Sequence, residues 1–488
     1  MQFISFGFLI FLPLVVAVNL IIPRKWRYIW LFVTSMAFYL SIDVKGAVVL
    51  LLSILTTYFA GIFLDREDKQ SEKSATPVFV LCLAVNIGMI LVLKYLGFFE
   101  RTFFNILGKE VGDSLASRLI APIGISFYVL KAIGYLVDVK RGDLKAERNI
   151  IKYALFVSFF PQVISGPIER AGNMLPQFSY PLSVDYDRLR DGLMQMLWGY
   201  FLKLVVADRL GIFVNSIYSG TEASGLVTLI GTIFYTFEIY CDFGGYSHIA
   251  IGGARILGID VMKNFDSPYL SMSVAEFWRR WHISLSSFFR DYVYIPLGGN
   301  RKGIVRKYVN ILIVFAISGL WHGAGFTFII WGLLHAVYQI IGFVLKPVRD
   351  KFISLFKVNR NASSHMLLKV FVTFMLVNFA WVFFRAESLS QAVAVIKNCF
   401  DLSPWALTNG EIFRMGLNEA NMLLALLGIA VLVIVDIANY KGIVVREKIL
   451  SQGIWFRYLI AIAAVLVILV CGIWGPGYDA ASFIYQQF

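Results

Sequence analysis

Five histidines, at 248, 282, 322, 335 and 365, are the side chains here that ordinarily change charge near neutral pH. His322 sits in Ser318-Gly319-Leu320-Trp321-His322-Gly323-Ala324-Gly325, between apolar runs and with glycine on both sides. Glycine lets the backbone bend and a substrate come close, so this imidazole is placed to line a reaction channel. With an ordinary pKa near ~6.5, a neutral ring takes a proton from a hydroxyl at physiological pH. The same setting suits a helix-packing histidine bonded to a neighbour, and residue types alone leave both readings open. His335, thirteen positions on, would lie roughly 20 Å away and on another face if the intervening chain were one helix. The two would then share no reacting atom, and His335 reads as structural.

His282 lies in Glu276-Phe277-Trp278-Arg279-Arg280-Trp281-His282-Ile283-Ser284-Leu285-Ser286-Ser287-Phe288-Phe289-Arg290-Asp291-Tyr292. Tryptophan and arginine this dense, without a long apolar core, suit an amphipathic helix at a membrane interface. One reading is anchoring. The other is that Arg279, Arg280 and Arg290 hold an anionic donor at the cytoplasmic mouth, since guanidinium groups pair readily with phosphate. His365, in Asn361-Ala362-Ser363-Ser364-His365, is expected in a solvated loop.

The elements that must position these groups are membrane helices. Of 488 residues, 58% are hydrophobic and 15% charged, which excludes a soluble globule. A bilayer core about 30 Å thick takes roughly 20 apolar residues per span, and Phe3 to Ile22 and Gly46 to Leu64 each supply that length. The first is expected to be retained, having neither a basic leader nor a small-residue cleavage site. Other expected spans are Tyr28 to Ile42, Pro77 to Leu93, Leu119 to Val137, Leu193 to Val206, Gly225 to Cys241, Ile311 to Ile341, Leu367 to Val382, Met422 to Tyr440 and Tyr458 to Ile473. The expected fold is an all-α polytopic membrane protein of about eleven transmembrane helices plus re-entrant and interfacial ones. It forms one membrane domain over 1–488.

The net charge of +13 sits in short loops, so it reports orientation and not nucleic-acid binding. Arg24, Lys25 and Arg27 place the first loop inside and the N-terminus outside, and the run from Asp65 to Lys69 with Lys73 is again inside. Lys131, Lys203, Asp208, Glu238 and Asp242 interrupt apolar runs, and such residues face a bundle interior, as pathway groups or as structural ion pairs. The short segment Tyr153 to Val163 and the turn Ser165-Gly166-Pro167 imply non-helical backbone at depth, which must be buried in protein or line a cavity. The four cysteines are far apart, without metal or redox spacing, and no metal site is expected.

Four ordered motifs add a resemblance. WRRWHISLSSFFRDYVYIPLGG, then GLWHGAGFTFIIWGLLHA with its first histidine forty positions after the one in WRRWH, resembles the membrane-bound O-acyltransferase (MBOAT) family. FFPQVISGPIERAGNMLPQF at 159–178 and YCDFGGYSHIAIGGARILGI at 240–259 are similar to its alginate O-acetyltransferase AlgI branch, as is the ending FIYQQF. The motif-bearing core is about 119–346. The resemblance implies a helical fold with a funnel from each face, forming a central tunnel near His322. It makes His322 catalytic and His282 its assistant, with Trp321, Arg279, Arg280 and Arg290 on the substrate. It implies an acetyl-CoA donor and no tightly bound cofactor. It also implies a polysaccharide acceptor, a separate extracytoplasmic acetyltransferase as partner, and a bacterial plasma (inner) membrane location. His248 stands where many relatives are expected to carry an acidic residue, and it is read as a structural replacement.

Two alternatives remain. One is D-alanyl transfer to teichoic acid, with an acyl carrier protein as donor. The other is a transporter or flippase, because intramembrane charges also mark solute pathways. The polymer is not named by the sequence: alginate, cellulose, peptidoglycan and secondary wall polysaccharides are all decorated by related systems.

Overall fold

The computed structural model describes residues 1–65, 72–109, 119, 121–181 and 183–474, and the side chains of 72–74 are left aside. Most of the run from Asp65 to Lys69 and the ending FIYQQF lie outside the described residues. Helices carry the chain throughout, and no strand occurs among the described residues.

Among the described residues, eight helices are long and apolar enough to cross a membrane: Val44–Leu64, Ala75–Ile106, Gly225–Ile256, Ile304–His322, Phe326–Val344, Ser363–Arg385, Glu419–Tyr440 and Ile454–Cys471. Ile454–Cys471 buries none of its residues, so its apolar side chains require lipid as solvent. The protein is a multi-pass membrane protein. Three expected spans form shorter helices, Phe6–Ile21, Arg27–Leu40 and Ile125–Arg141. Leu193 to Val206 lies within a long run, Tyr186–Tyr200, a π-helical stretch Phe201–Ala207 and Asp208–Tyr218.

One expectation is corrected. Ile311 to Ile341 is two helices and not a single apolar span, because Ile304–His322 stops at His322 and the chain reverses through Gly323-Ala324-Gly325. A Cβ on Gly323 would lie 2.2 Å from the Phe328 ring, so the reversal is built for glycine. The polar run around His365 also departs from a loop, since it starts the helix Ser363–Arg385 with His365 half-buried in its first turn.

The chain divides into two compact units. Among the described residues, one comprises Met1–Met196 and Ser247–Met262, the other Leu197–Tyr246 and 263–474. In the first, Ile150–Ser158 ends at Phe159 and is followed by the single turn Phe160–Val163. Residues 153–169 are all buried, so this irregular backbone is enclosed by protein, as lipid would leave its polar groups unsatisfied. Lys131 Nζ reaches Gln162 Oε1 at 2.8 Å within this unit. In the second unit, Lys203 Nζ lies 2.8 Å from Asp208 Oδ1 and 2.6 Å from Asp242 Oδ1, all deeply buried. The π-helical stretch explains the first pair: it closes i to i+5, with Asp208 N–H donating to the Lys203 carbonyl, and so brings together two side chains an α-helix would splay apart.

Candidate functional site

The site is built in the second unit around the helix reversal and the segment that precedes it. Ser273 caps Val274–Arg280, its side chain accepting from Glu276 N–H. The helix ends in extended Trp281, and His282 then adopts φ 44° and ψ 53° before Ile283–Phe289 begins. A left-handed histidine is a strained position. Asn264 fastens it from the side. The Asn264 carbonyl accepts from Ile283 N–H at 2.9 Å. Its side-chain Oδ1 lies 3.3 Å from Ser284 N, 2.9 Å from Ser284 Oγ and 3.1 Å from His282 Nδ1.

The structure brings His322 and His282 together, with ring centroids 6.3 Å apart. Trp321 packs on both, at 4.8 Å from His322 and 5.9 Å from His282. Trp331 and Phe384 add edge-to-face contacts on His322 at 4.9 and 5.4 Å. His322 is 2% exposed and His282 0%. The helix reversal also overturns the separation expected for His335: Trp331 lies between, 5.2 Å from the His335 ring and 4.9 Å from that of His322. His335 packs on Phe277, Trp278 and Trp381 as well.

Beside this nest runs a groove of about 480 Å³, whose lining includes Trp278, Arg279, Arg290, Lys307, Phe315 and Ser318. It reaches Ser318, one helical turn before His322, and its lining includes neither His322 nor His282. Two of the three arginines singled out from the sequence therefore line it. Arg290 is 63% exposed and donates to Asp291 Oδ1 at 2.8 Å. Arg280, the third, does not line it. Its Nε donates to Glu276 at 3.0 Å, its Nη1 lies 3.4 Å from Asp266 Oδ2, and its guanidinium stacks 4.6 Å over Tyr440. Those bonds occupy the fork that would otherwise hold a phosphate, so Arg280 is a clamp between segments. Lys307, which sequence reasoning missed, takes its place, with Nζ 3.7 Å from the Phe343 ring centroid. Asn264 was missed too, because an amide has no distinguishing chemistry until its neighbours are known.

His248 lies in the other unit, half-buried, with Nδ1 3.5 Å from Gln195 Nε2.

The arrangement sets two shielded imidazoles, groups able to take up and release a proton, beside a groove whose lining mixes cations and apolar side chains. The sequence pattern of the membrane-bound O-acyltransferase family matches residues 48–385. A probable alginate O-acetylase, AlgI, of Pseudomonas putida is 33% identical over 423 residues, covering 86% of this chain and 84% of the relative. A peptidoglycan O-acetyltransferase of Helicobacter pylori is 34% identical over 429 residues, covering 82% and 78%. A teichoic acid D-alanyltransferase of Bacillus subtilis is 27% identical over 348 residues, covering 69% and 85%.

Proposed function

The chain belongs to the membrane-bound O-acyltransferase family, and we propose that it passes an acetyl group from a cytoplasmic thioester, acetyl-CoA, across a bacterial plasma membrane to O-acetylate an extracellular or cell-wall polysaccharide. The single observation that carries the reading is the groove. Arg279, Arg290 and Lys307 line it, and it runs to within one helical turn of the His322 and His282 pair. Phosphates of a CoA donor match three cations, and the apolar remainder of the groove suits the pantetheine arm.

In this mechanism a neutral His322 takes the proton of an incoming hydroxyl, whose oxygen attacks the thioester carbonyl. The C–O bond forms, the C–S bond breaks, and the thiol leaves with the proton returned by His322. The aromatic shell of Trp321, Trp331 and Phe384 keeps competing water away. General-base assistance of this kind contributes about 10²- to 10⁴-fold in rate. A separate extracytoplasmic acetyltransferase is the partner that completes delivery, and the N-terminus lies outside.

The test is ester-linked acetate on the envelope polysaccharides of a deletion strain complemented with wild type or His322→Ala. Wild type restores acetate and the folded variant does not. Full acetylation by a correctly folded His322→Ala protein overturns the assignment. Ester-linked D-alanine in place of acetate moves the activity to the teichoic acid reaction, with an acyl carrier protein as donor. Solute movement with unchanged polymer acetylation makes the protein a transporter.

A further inference from the structure

The second histidine carries more information than its position. Three groups converge on one atom, Asn264 Oδ1: Ser284 N, Ser284 Oγ and His282 Nδ1. The hydroxyl and the imidazole nitrogen can each donate or accept, and the two ends of an amide side chain are nearly alike in shape. Ser284 N–H has no such freedom. A backbone N–H is only ever a donor, so the amide atom facing it at 3.3 Å is the oxygen. Turning the amide over would set its NH₂ against that N–H, donor against donor. With the oxygen fixed, His282 Nδ1 at 3.1 Å bonds to it only as a donor. The ring's one neutral-state proton is therefore on Nδ1, and the lone pair is on Nε2.

The rest of Asn264 points the same way. Its carbonyl holds Ile283 N–H at 2.9 Å, so the residue grips both peptides that follow His282. His282 itself stands at φ 44°, a strained conformation kept only where the surroundings over-determine it. Asn264 supplies that determination and sets the ring's proton in one stroke.

We propose that Asn264 is a positioning residue for acyl transfer, holding His282 as the Nδ1–H tautomer so that its Nε2 meets the reaction as a hydrogen-bond and proton acceptor. The role in turnover rests on the acyl-transfer reading above; the tautomer rests on the hydrogen bonds alone. His322, at 6.3 Å between centroids, is the imidazole that faces His282, and Phe243 and Trp321 pack edge-on against the same ring. Once protonated, His282 keeps its bond to Asn264, whose oxygen then stabilises the imidazolium.

The experiment is solid-state ¹⁵N NMR of full-length protein labelled at histidine, in lipid nanodiscs at a pH where the rings are neutral, with His282→Gln identifying the signals. The expected result is a pyrrole-type Nδ1 and a pyridine-type Nε2 for His282. Asn264→Ala loses that preference and about 10²- to 10⁴-fold in acetyl transfer, the range found when a catalytic imidazole is left in the wrong tautomer. Asn264→Asp, which keeps an oxygen facing Ser284 and Nδ1, restores the Nδ1–H signal and brings the rate to within about tenfold of wild type. Ser284→Ala removes a different donor and leaves the His282 signal unchanged, which covers the case in which Asn264→Ala fails to fold. A wild-type ring protonated on Nε2, or an Asn264→Ala protein that keeps both the tautomer and the rate, overturns the proposal. An Nδ1–H ring in a protein that transfers no acetyl group sinks the functional reading and leaves the tautomer standing.

Discussion

Gly332→Ala should damage the site while adding a single methyl group. The helices Ile304–His322 and Phe326–Val344 touch backbone to backbone through Gly319 and Gly332. A Cβ on Gly332 would lie 2.2 Å from the Phe315 carbonyl oxygen, 3.1 Å from its carbon and 3.3 Å from Gly319 Cα. Carbon–oxygen contacts settle at about 3.3 Å or more, so the two helices must part by roughly 1 Å at this level. Overpacking of that kind costs about 1–3 kcal/mol. The geometric effect is larger, because the neighbouring residue, Trp331, is the ring that shoulders His322 at 4.9 Å. A misplacement of about 1 Å at a reacting group costs up to ~10²-fold in rate. The assay pairs acetyl transfer with thermal unfolding of purified protein. Gly342→Ala is the control: it lies in the same helix, with nothing within 4 Å of its Cβ position, and should be neutral or stabilising by about 0.5–1 kcal/mol. A Gly332→Ala protein with wild-type rate and melting temperature would refute the close-approach argument. Equal damage from Gly342→Ala would show that any added methyl suffices.

The groove cations separate by role. Lys307→Glu with Arg279→Glu should raise KM for acetyl-CoA at least about tenfold with little change in kcat, whereas Arg280→Gln should leave KM alone and lower the melting temperature; steady-state kinetics with a melting curve distinguish them. Lys203→Met strands Asp208 and Asp242 at 2.8 and 2.6 Å from a vanished ammonium, a cost of about 3–5 kcal/mol, and adding Asp242→Asn should recover part of it in the same unfolding assay. Glu411, in a short helix outside the spans, accepts from Ser224 N–H, and that bond holds its carboxyl below the usual glutamate range. Its contribution is therefore present above the ordinary glutamate pKa and lost as pH falls through the depressed value. Amide exchange at Ser224, corrected for intrinsic rate, should lose protection over that window in wild type and show no such step in Glu411→Gln.

Much of the site was legible because membrane chemistry makes polar residues expensive. His322 and His282 announce themselves as imidazoles in greasy surroundings, and Lys203, Asp208 and Asp242 were assigned to the interior by the cost of leaving them in lipid. Their pairing was not legible, since Asp242 lies on another helix and Asp208 is aligned only by the π-helical stretch. The reversal after His322 was hidden for a related reason. Gly323-Ala324-Gly325 carries no charged or polar side chain, so the turn left no dip in hydropathy, and a continuous helix placed His335 too far away. Arg280 could not be told from Arg279 and Arg290 by residue type, and the structure adds that Glu276 and Asp266 pair with it. Sequence shows a cation there without showing what has already claimed it.

Burial of both imidazoles carries the mechanism one step further. A general base needs a nucleophile beside it, yet His322 is 2% exposed and the groove goes only as far as Ser318. Trp278 and Phe315 line the inner groove, 5.1 Å apart. Trp278 in turn touches Trp331 at 5.7 Å and His335 at 5.1 Å, so the groove wall and the shell of His322 are one continuous stack of rings. Ring contacts of this kind are worth about 0.5–1.5 kcal/mol each, which a thioester arm entering an apolar groove can offset by the area it buries. A ligand reaching His322 from the groove would have to displace these ring contacts. The buried His335 fits this account better than a catalytic one, as a flat polar ring filling the stack behind Trp331.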